Sequence, residues 1–226
     1  MRHKTMAVAG AVLGLSLSVA ACDVPLNFGG QQAVESYDVK DKVAVLDTHT
    51  ASGDVVVSES DRTGVHVTET LHWRGDKPAN GHSVDGDTLR LAYKCDDCSV
   101  DYKVEVPRGL TVKIDTGSGD ITLRDLTGQV NASAGSGDLD ARGLAAKQVN
   151  TRTGSGDITL RFTAVPDQVQ AVTGSGDSRL WVPDGAYNVN AATGSGDRRI
   201  EVLDDDSAPH TITVRTGSGD AEVHKA

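Results

Sequence analysis

Aspartate recurs in this chain at a spacing that could do chemistry. The tetrapeptide Gly-Ser-Gly-Asp occurs six times, ending at Asp120, Asp138, Asp157, Asp177, Asp197 and Asp220, and a shorter Ser52-Gly53-Asp54 precedes them. Such a row of carboxylates could hold calcium, or supply the acid and base of a glycosidase. Calcium rolls gather several oxygens per ion from closely spaced glycine-rich turns, whereas here each corner offers a single carboxylate. A glycosidase needs two carboxyl groups in unlike surroundings, and a repeat gives every aspartate the same ones. With four Tyr, two Trp and two Phe, the chain also has few aromatic platforms for a sugar.

Other chemistry is equally short of residues. No GxSxG, HExxH or phosphate-binding glycine loop occurs, and the serine of the repeat has no regular histidine partner. His49, His66, His72, His82, His210 and His224 are scattered without metal-ligand spacing. A formal charge of -10 argues against nucleic acid, which demands a basic footprint. The residues therefore point to no catalytic group, no cofactor and no metal.

The aspartates must then be positioned for another reason. Rungs of a β stack lie about 4.8 Å apart, and two carboxylates at that distance repel by roughly 0.9 kcal/mol in water. Glycine on both sides of the serine permits positive φ, and an aspartate can accept backbone N–H groups of its own or the neighbouring corner. Arg124, Arg142 and Arg161, each four residues beyond an Asp, with Arg179, Arg198 and Arg199 nearby, could suppress the remaining repulsion. Asp54, Asp120, Asp138, Asp157, Asp177, Asp197 and Asp220 are accordingly expected to be structural turn residues.

The elements follow from the period. Successive aspartates are separated by 18, 19, 20, 20 and 23 residues, which points to a solenoid. The segments alternate apolar and polar residues and are rich in Val, Ile and Thr, so they read as strands. Eight positions before each Asp stand Val112, Val130, Val149, Val169, Val189 and Ile212; Ile121, Leu139 and Ile158 follow directly after theirs. These residues are expected to share an interior. From each Asp to the next such Val or Ile the count is 10, 11, 12, 12 and 15, so the slack lies at the second corner. That edge, with Trp181 and Tyr187 and the acid run Asp204, Asp205 and Asp206, is the candidate binding edge.

The N-terminus reads as a targeting segment. Arg2, His3 and Lys4 precede an apolar stretch from Met6 to Leu17, and Val19-Ala20-Ala21-Cys22 resembles a bacterial lipobox. That resemblance implies cleavage before Cys22 and a lipid on its sulfur, with anchoring on the extracytoplasmic face of the cell membrane. Residues 1–21 are thus a signal peptide and 22–33 a tether. Residues 34–110 form an irregular β region, and 111–226 the regular repeat. In an exported chain, Cys95 and Cys98 are expected to form a small-loop disulfide, since a lone CxxC lacks the second ligand pair of a zinc site. The chain stops half a rung after its last corner, so a bare terminal rung and end-to-end self-association are expected.

The lipobox, the CxxC followed by VDYKVEVPRG, and TVKIDTGSGDITL with serial SGD turns resemble the adhesin-like β-strand-repeat family of bacterial envelope proteins, a domain of unknown function. The resemblance implies a parallel β-helix or β-solenoid with a surface role. The expected fold is thus all-β, a parallel β-solenoid of 18–23 residues per rung. The expected partner is an envelope protein or surface polymer. A role in envelope stress or signalling, a calcium-binding repeat and a polysaccharide-acting enzyme are the competing readings.

Overall fold

The computed structural model describes residues 30–79, 81–94 and 97–226, and these contain strands and no helix. An irregular first part comprises β1 (Gln31–Val39), β2 (Val45–Ser52), β3 (Val55–Glu59), β4 (Val65–Trp73), β5 (His82–Asp85), β6 (Thr88–Ala92) and β7 (Cys98–Val106). Paired strands follow, one either side of each Gly-Ser-Gly-Asp corner: β8 (Thr111–Ser118) with β9 (Ile121–Arg124), β10 (Val130–Ser136) with β11 (Leu139–Leu144), and β12 (Gln148–Ser155) with β13 (Ile158–Phe162). Next come β14 (Gln168–Ser175) with β15 (Ser178–Val182), and β16 (Ala186–Thr193) with β17 (Arg198–Ile200). After the short β18 (Leu203–Asp204), β19 (Thr211–Ser218) pairs in the same way with β20 (Ala221–Lys225).

The strands form two ten-stranded sheets that share one hydrophobic core. The first sheet has the order β1-β4-β7-β3-β9-β11-β13-β15-β20-β17, the second β18-β16-β19-β14-β12-β10-β8-β2-β6-β5. Pairing is parallel except for β1 with β4, β4 with β7, and β5 with β6. The alternation read from sequence sets the core. Val112, Val130, Val149, Val169 and Ile212 are buried in the second sheet, and Ile121, Leu139 and Ile158 in the first. Each such side chain removed from water contributes about 1.5 to 3 kcal/mol, so the core favours this register over a one-residue slip, which would turn every apolar side chain outward.

The stack does not follow the chain at either end. The rung made by β2 and β3 lies directly against β8 and β9, with Leu46 opposite Val112 and Val57 opposite Leu123. The intervening segment, together with the preceding β1, extends both sheets beyond that rung: β7, β4 and β1 in the first, the β5–β6 hairpin in the second. Strand β1 already begins at Gln31, three residues inside the expected tether.

At the other end the last two repeats are exchanged. Strands β19 and β20 insert between β14–β15 and β16–β17, so the fifth repeat, not the sixth, forms the terminal rung. The side chains explain this. The inward position after the corner holds Arg198 in the fifth repeat and Ala221 in the sixth; Arg198 is exposed, whereas Ala221 and Val223 are fully buried. A guanidinium cannot be placed unpaired in the core, so the repeat that carries it belongs at the end. The 15-residue interval from Asp197 to Ile212 supplies the length to cross back. The expectation that β20 is a bare end rung is therefore corrected, because β20 is hydrogen-bonded on both sides.

Candidate functional site

The corner aspartates form one continuous hydrogen-bonded ladder. The backbone N–H of each donates to the Oδ1 of the Asp on the preceding rung: Asp120 to Asp54 at 2.9 Å, Asp138 to Asp120, Asp157 to Asp138 and Asp177 to Asp157 each at 2.8 Å. The ladder then passes to Asp220, whose N–H reaches Asp177 at 2.7 Å, and ends with Asp197, whose N–H reaches Asp220 at 2.8 Å. Its first member is Asp101 on β7, which accepts from the N–H of Asp54 at 2.9 Å.

Glycine makes this approach feasible. The second glycine of the corner has φ +139 at Gly156, and a Cβ there would stand 2.1 Å from the carbonyl oxygen of Gly137 on the rung below. The threonine before the corner uses that same carbonyl: Thr153 Oγ1 donates to Gly137 O at 3.0 Å, Thr173 to Gly156 O at 2.9 Å and Thr216 to Gly176 O at 2.8 Å. Ala134 occupies this place in the second repeat and has no hydroxyl to offer.

These contacts decide what the row can do. One oxygen of each ladder carboxylate except the last, Asp197, is already held by a backbone amide of the next rung. Among the described residues no three His, Cys, Asp or Glu side chains group to hold a metal ion. Arginine partners occur beside the ladder: the Arg179 guanidinium pairs with Asp177 and lies 3.6 Å from Asp157 and 3.5 Å from Glu222.

The two aromatics of the candidate binding edge lie on different sheets, Trp181 on β15 and Tyr187 on β16. Tyr187 is fully buried, and its hydroxyl donates to Pro183 O at 2.8 Å. Trp181 is half-buried on the other sheet, stacked on His224 at 5.0 Å with the Arg161 guanidinium 3.6 Å above its ring. The acid run is local structure within the crossover. Asp204 accepts from the N–H of Val189 at 3.0 Å, Asp205 accepts from the N–H and hydroxyl of Ser207, and the Asp206 carbonyl accepts from Asn188. The two Ser207 bonds hold the Asp205 carboxyl below its usual range. The longest second corner is thus the connection that exchanges the repeats.

Two clusters were not legible in the sequence. Glu69 on β4 is buried and accepts from the hydroxyls of Tyr37 and, at 2.7 Å, Tyr93, which ties the two sheets together beyond the β2–β3 rung. His224 on β20 bridges Glu201 at 2.9 Å and Glu222 at 3.0 Å, fastening the terminal rung to its neighbour. Cys98 is disulfide-bonded; Cys95, its expected partner, and Cys22 lie outside the described residues.

Known proteins share this architecture. A candidate cell adhesion protein from Clostridium sporogenes, 12% identical, superposes with a TM-score of 0.54 over 87% of this chain and 100% of its own. A candidate adhesin from Bacteroides fragilis, 13% identical, does so with a TM-score of 0.50 over 87% and 97%. At these identities the likeness is one of fold. No curated protein matches the chain. The Toastrack DUF4097 family model matches residues 39–224, and with nearly the whole two-sheet stack inside that match, the chain belongs to the Toastrack DUF4097 family.

Proposed function

We propose that this protein is a lipid-anchored, non-catalytic surface scaffold that displays the outer faces of its two sheets to a component of the cell envelope. The observation that carries this reading is the aspartate ladder. Its carboxylates are engaged in joining rung to rung, so the most repeated polar feature of the chain serves the stack and leaves the faces for recognition. The names of the two neighbours, a candidate cell adhesion protein and a candidate adhesin, support a surface role. The lipobox-like Val19-Ala20-Ala21-Cys22 supports an extracytoplasmic lipid anchor at Cys22. On this reading the Gly-Ser-Gly-Asp corner is the device that fixes each rung of a parallel β-solenoid.

The test combines location and activity. Cell fractionation is expected to find the protein in the membrane and its Cys22→Ala variant as uncleaved precursor, with surface labelling reaching only the wild type. If Asp138→Asn or Asp157→Asn abolished a turnover on wall polymers while thermal stability was unchanged, the non-catalytic reading would be wrong.

A further inference from the structure

The outer face of the second sheet carries a pattern that no single repeat contains. Between Gln129 and Gln170 it is a raster of amides: Gln129, Gln148 and Gln168 stand in one row, Asn131, Asn150 and Gln170 in the next. They border a hollow of about 160 Å³, and none of the six side-chain amides makes a hydrogen bond within the described residues. Their donors and acceptors are free for a ligand on a rigid parallel stack.

Cations punctuate this raster on alternate strands. Lys113 lies on β8, Arg152 on β12 and Arg215 on β19, all exposed and none in an ion pair among the described residues. The strands between offer Asn131 and Ser133 on β10, and Gln170 and Val172 on β14, at the matching positions. Two rungs span about 9.6 Å, the interval at which Arg152 and Arg215 recur within one row; Lys113 stands two residues back in the adjoining row, and the β8 member of the arginine row is Asp115. The exchange of the last two repeats creates the third position. In chain order β16 would follow β14 and present Asn190 and Ala192, whereas the structure seats Arg215 there. A cavity of about 300 Å³ over the uncharged β10 rung is lined by Lys113, Asn131, Ser133, Asn150 and Arg152, and on its β2–β8 side by Asp47, His49 and Asp115. Asp115, beside Lys113, is the unpaired acid of this stretch, and the face is cationic on a chain whose net charge is -10.

We propose that this face binds an extended acidic glycan carrying a carboxylate on every second sugar. The advance of one pyranose ring in an extended glycan is close to one rung. Two alternate carboxylates would then meet Arg152 and Arg215, with Lys113 adding charge from the adjoining row, while the amides hydrogen-bond the hydroxyl or acetamido groups between. The inference rests on the surface-scaffold reading and names its partner class.

Full-length protein in detergent should be titrated with hyaluronan, whose sugars alternate an acid with an acetamide. Polygalacturonate, chitin oligosaccharide and single-stranded DNA serve as comparators. Hyaluronan is expected to bind most tightly, more weakly as salt rises, and at least about tenfold more weakly to a double Arg152→Gln, Arg215→Gln variant. A double Arg198→Gln, Arg199→Gln variant on the opposite sheet is expected to bind as wild type. Absence of hyaluronan binding, indifference to the Arg152 and Arg215 changes, or equal binding of polygalacturonate or DNA would overturn the proposal. Retention of the protein by whole envelope material separates the two levels. If retention persists without hyaluronan binding, the glycan assignment alone falls; if retention is also absent, the surface reading falls with it.

Discussion

The backbone N–H of Asp220 donates to the carboxylate of Asp177 at 2.7 Å, although 43 residues separate them and another complete repeat lies between in the chain. This bond marks the place where the sixth repeat enters the stack. It also shows that the corners are interchangeable units, since the same contact joins Asp138 to Asp120 across 18 residues.

The order of the rungs can be tested by charge burial. Val223→Asp places a carboxylate at a fully buried position between β15 and β17 and is expected to cost about 4 kcal/mol or to prevent folding. Ile200→Asp, half-buried on the terminal rung, is expected to cost less than half as much, as read by urea denaturation. The reverse ranking would contradict the exchange.

The ladder makes separate predictions for acceptor and charge. Asp157→Ala leaves the N–H of Asp177 without its partner and should lower stability by about 1 to 2 kcal/mol. Asp157→Asn keeps an acceptor oxygen and removes one carboxylate from the row, so its cost should be smaller, and smaller still at low salt, where repulsion along the row is less screened. Chemical denaturation at two ionic strengths measures both.

Ala134 is the gap in the buried threonine series. In the next two repeats Thr153 and Thr173 donate to the glycine carbonyl of the rung below, whereas the buried Thr116 hydroxyl of the first repeat has no partner among the described residues. Ala134→Thr is expected to supply the missing donor and stabilise by about 0.5 to 1.5 kcal/mol, while Thr153→Ala costs a similar amount. Calorimetric melting of the two variants should show shifts of opposite sign.

His224 gives the terminal rung a pH dependence. Burial lowers its pKa, but hydrogen bonds and charge from Glu201 and Glu222 outweigh this and raise it above the ordinary 6.5. A raised folded-state value means the contribution is fully present below the unfolded pKa and is lost as pH rises through the folded one. Hydrogen exchange of β17 is expected to quicken from pH 6 to pH 8, roughly across that window. His224→Gln should flatten the profile after correction for intrinsic exchange.

Much of the fold was legible because one period repeats. The alternation that named Val112, Val130, Val149 and Val169 as interior residues is the pattern that buries them. The stacking order was hidden for the same reason: equivalent corners make equivalent bonds, so the repeat pattern cannot rank neighbours. The distinguishing signal was Arg198 at an inward position. Asp101 was missed because it lies inside the continuous strand β7 with no glycine turn before it, although the buried Tyr102 and Val104 follow it as inward pairs follow most corners. Antiparallel β1 and β4 carry no repeat at all, and Glu69 meets its tyrosines only through the tertiary fold.

The exchange of the last two repeats has a consequence for biogenesis. Strands β16 and β17 leave the ribosome, and any export channel, before the repeat that must separate them from β14 and β15. From the β2–β3 rung, growth through β8 and β9 can therefore follow chain order only as far as β15. The final two rungs must close together, with β17 waiting for Val223 and Ala221 to arrive beneath it. A chain cut short after Ile200 has a complete fifth repeat with no correct seat. The topology thus acts as a completeness check, in which a full-length polypeptide alone can seal its own stack.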